Sequence, residues 1–335
     1  MGVENIYICA TLHHVLITMI KQLHSENRSD IVLCSDIPDT CRLIGELATK
    51  HLFENVYFFD RESGVAQTDK GHIWNFFYMH HCHIQRMEEE WKVDLRRYKN
   101  IFIFNDTIAL GMYLQEKKLP YHLVEDGLNA FQVIDKYTPN FDQMVNHPSI
   151  KRRISWAVNY GYRPWGQSKW CIDIEVNEKK NLKIPDHKVF EQPKEKLYDS
   201  LTAEEKQLIY HTFVQEEIPT VETGEKLLLL LTQPLAVDSL VANEEVQCKV
   251  YRDIVRQYGE GYRLIVKPHP RDSIDYKKCF PDAVIIDARI PTEIMNFNNK
   301  LCFDRAITIE SSSIQSLQCV KEKKKIGIEI LKKYQ

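Results

Sequence analysis

The chain lacks most of the short signatures by which a sequence declares its chemistry. It has no CxxC pair, no HExxH, no GxGxxG after its first apolar run, no GxxxxGK[ST] and no GxSxG. These absences argue against zinc proteases, dinucleotide oxidoreductases, P-loop NTPases and α/β-hydrolases. The nine cysteines (Cys9, Cys34, Cys41, Cys82, Cys171, Cys248, Cys279, Cys302 and Cys319) follow no spacing pattern. An odd, scattered set predicts reduced thiols in a cytoplasmic protein, not a disulfide framework. The start runs directly into Ile6-Tyr7-Ile8-Cys9-Ala10, without the basic, apolar and small-residue regions of a signal peptide. The longest apolar run, Leu227 to Leu231, is far short of the ~20 residues a membrane span needs. With 44 basic and 47 acidic residues, the net charge of −3 gives no electrostatic case for a nucleic-acid partner. The basic patch Lys321–Lys325 leaves peripheral association with the inner face of the plasma membrane open, although a solvated helix end is the plainer reading.

What is present is an α/β pattern interrupted once. At 335 residues the chain is long for one core and comfortable for two. Apolar runs at Ile6–Ala10, Ile31–Cys34, Val56–Phe59, Ile101–Phe104 and Tyr121–Val124 read as strands. Amphipathic stretches at Leu43–His51 and Ile73–Trp91 read as helices between them, which implies a parallel sheet covered on both faces. Residues 137–225 break the pattern with charge, proline and aromatics, and read as a connector with a helix at Ile150–Ala157. A helix is expected after Leu201, where Thr202 is a plausible N-cap before Glu204 and Glu205. Alternation then resumes, with strands at Leu227–Leu231, Leu264–Val266, Val284–Ile286 and Ala306–Ile309 and a helix at Glu244–Tyr258 closed by Gly259. Pro291 and Ser311–Ser313 each read as helix starts. The expectation is two Rossmann-like domains, 1–180 and 181–335, facing a central cleft with ligands at the strands' carboxyl ends.

Two motifs at such strand ends carry chemistry. Glu125-Asp126-Gly127 offers carboxylates at a sharp turn that Gly127 permits, and one of them can act as a general base. The same tripeptide is also ordinary turn chemistry. Lys267-Pro268-His269-Pro270 sets one imidazole between two backbone-fixing prolines, beside the positive charges of Lys267 and Arg271. Such a histidine suits a phosphate or a leaving group. Ser311, Ser312 and Ser313 offer hydroxyls and main-chain N–H groups at a helix start, for phosphate binding or for simple capping. Thr11-Leu12-His13-His14 follows the first strand and Thr232-Gln233-Pro234 the first strand of the second half, so both face the same way. His80 and His83 are helical neighbours, but no further ligands stand at zinc spacing, and no metal site is expected. Tyr160, Tyr162, Trp165 and Trp170 in the connector read as core or interface aromatics, with stacking on an acceptor as the alternative.

In their order and wide spacing these motifs resemble those of bacterial sialyltransferases of the GT-B type, and most closely glycosyltransferase family 52, over roughly residues 1–320. The matching elements are the acidic-acidic-Gly motif, the His269-Pro270 pair and the later serines. The His-Pro motif is shared with wall-polymer glycerophosphotransferases and Kdo transferases. The resemblance implies a GT-B fold and an inverting transfer of sialic acid from CMP-sialic acid to a galactose-terminated glycan, with no cofactor or metal beyond that donor. It implies Asp126 as the acceptor's base, with Glu125 supporting it or assisting acceptor binding. It implies His269 at the CMP phosphate and Ser311 to Ser313 on that phosphate or the sialic carboxylate. Pro291 and Glu293 would lie near the nucleotide, and Gly127, Thr11, His13, Thr232, Lys267 and Pro270 complete the expected binding set. A homodimer is compatible with the resemblance. The rivals are another nucleotide-dependent glycosyl- or glycerophosphotransferase of surface-polysaccharide synthesis, and a non-catalytic glycan-binding member of such a pathway.

Overall fold

The computed structural model describes residues 2–60, 93–134 except 108 and 128, 163–215 except 185, and 224–334 except 299, together with 141, 149, 150 and 153. The helices expected at Ile73–Trp91 and Ile150–Ala157, along with Cys82, His80, His83, Tyr160 and Tyr162, lie wholly or largely outside these residues. The chain divides into two compact units, Met1–Leu201 and Thr202–Gln335.

The N-terminal unit is a parallel sheet. Its strands are β1 (Asn5–Cys9), β2 (Asp30–Cys34), β3 (Val56–Phe59), β4 (Asn100–Ile103), β5 (Tyr121–Val124), β6 (Cys171–Val176) and β7 (Val189–Glu191), in the order β3-β2-β1-β4-β5-β6-β7. Ile8 pairs with Val32 on one side and Ile103 on the other, so the chain reverses its direction of winding at β1. Every residue of β2 is buried, as expected of a strand covered on both faces. The helices are α1 (Leu12–Leu23), α2 (Thr40–Thr49), α3 (Ala109–Glu116) and the short α4 (Lys194–Asp199). Thr11 caps α1 by accepting from the His14 N–H at 3.2 Å, and Lys21 places positive charge in its last turn.

β7 moves the expected boundary. Residues 181–201 complete the first sheet, so the division falls at Leu201 and not at residue 180. The charge-rich composition of 137–225 concealed β6 and β7, the last two strands of the sheet, where Ile172 and Phe190 are exposed and Asp173, Glu175 and Glu191 interrupt the apolar runs.

The C-terminal unit is a second parallel sheet of β8 (Lys226–Leu231), β9 (Tyr262–Lys267), β10 (Val284–Ile285), β11 (Phe303–Thr308) and β12 (Val320–Lys325), in the order β10-β9-β8-β11-β12. Five consecutive leucines of β8 are buried. At about 1.5–3 kcal/mol for each such side chain, β8 is the main apolar anchor of this unit. The helices are α5 (Ala203–Phe213), α6 (Glu244–Tyr258) and α7 (Tyr276–Cys279). α5 opens on a complete capping box, with Thr202 bonded to the Glu205 N–H and Glu205 returning to the Thr202 N–H.

Three local expectations are corrected here. Ser312–Ile314 and Thr292–Phe297 are 3-10 turns, too short to carry the dipole of an α-helix. Lys321–Lys325 belongs to edge strand β12, not to a helix end. Three of its five charges are paired with opposite charges: Lys321 meets Asp304 at 2.8 Å, Glu322 meets Arg305 at 2.8 Å and Lys325 meets Glu310 at 2.7 Å. Charged edge strands resist further strand pairing. Finally, Cys248 on α6 and Cys279 on α7 are joined in a disulfide with Cα atoms 5.8 Å apart, where scattered thiols were expected. Among the described residues no helix is long and apolar enough to cross a membrane.

Candidate functional site

The topological switch of each sheet determines where a site can form. In the N-terminal unit β1, β4 and β5 end side by side, delivering Thr11 to His14, Asn105-Asp106 and Glu125-Asp126-Gly127 to one edge.

The Glu125-Asp126-Gly127 turn is held from inside. Gly127 has φ +81°, in the left-handed region that glycine adopts without penalty. Buried Lys194, at the start of α4, donates to the carbonyl oxygens of Glu125 (3.0 Å) and Gly127, and lies 3.4 Å from His13 Nε2. Glu125 is 1 % exposed and accepts from the main-chain N–H groups of Phe131 (3.2 Å) and Asn177 (2.7 Å). Burial raises its pKa, while those amides and Lys194 oppose the rise. Of the two roles expected for Glu125, this placement fits support of the Asp126 turn, because both carboxylate oxygens face the main chain.

Asp126 alone turns outward, with a side chain 39 % exposed. Its Oδ1 lies 2.8 Å from Nε2 of His14, whose side chain is 2 % exposed. The His14 Nδ1 accepts from the Ala10 N–H at 3.1 Å, so the ring proton resides on Nε2 and is donated to Asp126. Phe104 stacks on the imidazole with centroids 4.2 Å apart and rings 7° from parallel, which fixes its plane. Burial works against ionisation of Asp126, but His14, His13 and Lys194 together outweigh it and hold the carboxyl at about 2. His13 itself is driven well below its ordinary value by burial and then by Lys194 and His14, so it is neutral at pH 7. The sequence pointed to His13 and Thr11. The structure makes Thr11 a helix cap and gives the direct contact with Asp126 to His14.

Asp126 borders a pocket of about 360 Å³, lined also by Phe104, Asn105, Thr107, Phe131 and Trp165. Asp106 lies at its base, 1 % exposed, and accepts from Trp165 N–H (2.6 Å), Gly166 N–H (2.9 Å) and Tyr121 O–H (2.8 Å). Burial pushes Asp106 up to about 6, against the pull of these donors.

In the C-terminal unit the switch lies at β8, flanked by β9 and β11. Thr232 Oγ1 accepts from the His269 N–H at 3.2 Å and donates to Asp272 at 3.3 Å. Asp272 also accepts from Gln247 (2.9 Å) and Tyr276 (2.6 Å), which anchors the loop behind His269. The His269 Nδ1 accepts from the Arg271 N–H at 3.1 Å, leaving Nε2–H as the donor. Burial, then Arg271 and Lys267, lower His269 to about 4, so it is a neutral hydrogen-bond donor at pH 7.

Lys267 is 3 % exposed, and its ammonium donates to the carbonyls of Pro268 (2.8 Å) and Ala288 (3.0 Å). Its expected contact with a phosphate is replaced by service to the loop, and burial lowers it to about 8. Thr232 likewise positions His269, while Pro270 is exposed beside it. Ser311 Oγ and Ser313 Oγ are 2.6 Å apart, with Ser312 exposed between them. Glu293 is buried and accepts from Ser316 Oγ at 3.5 Å. Gln233, which the sequence named only in passing, joins the β8 and β11 ends by accepting from the Glu310 N–H at 2.7 Å. Among the described residues no group of three or more His, Cys, Asp or Glu is placed to hold a metal ion.

Comparison with known proteins bears on this geometry. The sequence profile of glycosyltransferase family 52 matches residues 53–333. A curated "Uncharacterized protein" of Haemophilus influenzae is 28 % identical over 201 residues, 59 % of this chain and 59 % of that protein. The chain thus spans about three-fifths of the curated relative it matches. An α/β-galactoside α-2,3-sialyltransferase from Photobacterium phosphoreum superposes with a TM-score of 0.56 at 14 % identity, covering 96 % of this chain and 90 % of that one. A Photobacterium 2,6-sialyltransferase, solved with CMP and lactose, gives a TM-score of 0.58 at 12 % identity, covering 96 % and 71 %. At these identities the structural likeness establishes the GT-B fold alone. The family profile covers most of the chain, and the chain belongs to glycosyltransferase family 52.

Proposed function

We propose that this protein transfers sialic acid from CMP-sialic acid to a galactose-terminated glycan, with inversion at the anomeric carbon. The observation that carries the reading is Asp126, an ionised carboxylate fixed by His14 at a strand end and open to a pocket. The relative solved with CMP and lactose supports the donor and acceptor classes by likeness of fold.

Asp126 acts as the base. His14 occupies Oδ1, which presents Oδ2 to the acceptor hydroxyl. A carboxylate with a pKa of about 2 is always ionised at neutral pH but is weakly basic. Proton transfer therefore accompanies formation of the C–O bond and does not precede it. A bound acceptor that displaces water from Asp126 raises its basicity.

His269 meets the donor phosphate through Nε2–H, and the Ser311–Ser313 turn adds hydroxyl and main-chain donors. An anomeric carbon that is tertiary and carries a carboxylate reacts through a cation-like transition state, so the departing CMP needs its phosphate charge stabilised. Neutral, preorganised donors supply that stabilisation, and the proposed reaction needs no metal.

The test is thermal unfolding of the full chain with CMP, CDP and UDP. CMP is expected to raise the midpoint most, by linkage. No stabilisation by CMP, or a larger one by UDP, would sink the sialic acid reading.

A further inference from the structure

The bond between Cys248 and Cys279 has no part in the chemistry described so far, yet it lies next to the residues that hold the His269 loop. Cys248 follows Gln247 on α6, and Cys279 stands three residues after Tyr276 at the end of α7. Gln247 and Tyr276 both donate to Asp272, and Gln247 Nε2 lies 2.9 Å from the Tyr276 hydroxyl. Asp272 reaches His269 in two ways. Its N–H donates to the His269 carbonyl at 2.9 Å, and its carboxylate accepts from Thr232, which takes the His269 N–H. Other ties between α6 and this segment are hydrogen bonds: Ser273 donates to Glu244, and Arg252 to the Cys279 carbonyl at 3.1 Å. The disulfide thus joins, covalently, the two helices whose side chains fix the loop from behind.

We propose that Cys248 and Cys279 are a thiol–disulfide modification site that sets the rigidity of the His269 loop, and through it the affinity for the nucleotide phosphate. The affinity clause rests on the transferase reading; the loop clause does not. Three observations carry the proposal. The Cα atoms are 5.8 Å apart, inside the ~4.4–6.8 Å over which two cysteines are bridged without moving the backbone. The two residues differ in access, since Cys248 is half-buried and Cys279 is 6 % exposed. An incoming thiolate therefore attacks the sulfur of Cys248 and expels the Cys279 thiolate. α7 is a single turn of four residues, too short to hold its own shape, so its contacts with α6 decide where it lies. Once the bond is reduced, hydrogen bonds alone tie that turn to α6, and the cysteines' separation of 31 residues leaves the intervening chain much to gain in freedom. The chemistry balances with an external partner. On formation the two thiols give two protons and two electrons to a disulfide such as oxidised glutathione, which leaves as two thiols. A dithiol reductant reverses the step and is itself left as a disulfide.

The experiment equilibrates the full chain with oxidised glutathione or with dithiothreitol and reads two quantities. One is hydrogen exchange at the main-chain amides of His269 and Asp272; the other is CMP affinity by calorimetry. Alkylation followed by mass spectrometry reports the state of each cysteine. The expected result is that Cys248 and Cys279 resist alkylation in the oxidised chain. On reduction the loop amides exchange about tenfold faster and CMP binding weakens about three- to tenfold. Cys248→Ala shows the reduced-state values under both conditions, whereas Cys41→Ala, which removes an exposed thiol of the N-terminal unit, responds like wild type. Free Cys248 and Cys279 in the oxidised chain overturn the proposal, as does loop exchange that is the same in both states. So does a redox response that survives in Cys248→Ala, or faster exchange that leaves a measurable CMP affinity unchanged. Loop exchange that responds to reduction in a chain that binds CMP in neither state supports the site and refutes the CMP-dependent reading instead. Thermal unfolding checks the fold of Cys248→Ala, and reduced wild type supplies the comparison if that variant fails to fold.

Discussion

His14 and Asp126 lie 112 residues apart in sequence and 2.8 Å apart in space, and the imidazole is the donor. Its other nitrogen is engaged by the Ala10 N–H, so the pair has a single tautomeric arrangement. Asp126 is therefore oriented and kept ionised by a group that is itself held by the start of α1.

Replacing His14 by Ala is expected to slow transfer by 10²-fold or more, since the base is then misaligned. With its main partner gone, burial dominates and the Asp126 pKa rises, so the acid limb of the pH–rate profile moves upward from about 2. The stability contribution has a defined sign. The folded value lies below the ordinary carboxylate value, so the pair stabilises the protein fully above about pH 4, and that contribution is lost as pH falls toward 2. Discounted for the 39 % exposure of Asp126, it amounts to roughly 1 kcal/mol. A profile identical to wild type would refute the pairing.

Lys194→Met is expected to strip the Glu125 and Gly127 carbonyls of their buried donor. The cost is about 1–3 kcal/mol in urea unfolding, with activity lost beyond what the stability change explains. A stable variant with full activity would show that the turn needs no such support.

His269→Ala should weaken CMP binding by about tenfold or more, the worth of one hydrogen bond to a charged group, while His269→Gln retains part of it through its amide N–H. Because His269 is lowered to about 4, a bound phosphate raises its pKa and binding takes up protons between pH 6.5 and 4. Calorimetry in buffers of different ionisation enthalpy reads that uptake, and its absence would place the phosphate elsewhere.

Two glycines should respond differently. Gly127→Ala meets no atom within 4 Å and loses only the ease of its positive φ, about 1–2 kcal/mol. Gly166→Ala pays the same backbone cost and in addition drives its Cβ into the Ile174 side chain, so it should unfold at distinctly lower urea concentration. Equal midpoints for the two variants would contradict the packing of the Trp165 turn.

Much of the fold was legible because buried parallel strands are continuous apolar runs. Val56–Phe59 and Tyr121–Val124 fall where the sequence placed them, and α6 does so at both ends. β6, β7 and β12 were not legible, since strands at or near a sheet's edge carry charge and expose one face. At the site, the sequence marked Asp126 and His269 through the turn and the prolines around them. It could not separate His13 from His14, or ligand lysines from structural ones, because those roles depend on where a side chain points.

The amino-acid sequence by itself determined the two α/β units, the strand ends at which chemistry can occur, and the identity of the carboxylate and imidazole placed there. Local periodicity and turn stereochemistry suffice for that. Only the tertiary structure decided that Glu125, Lys194 and Lys267 serve the main chain, that His14 is Asp126's partner, and that Trp165 shares a pocket with the base. Those outcomes depend on which groups the folded chain brings together, since a buried polar group must find its partners among the few it can reach.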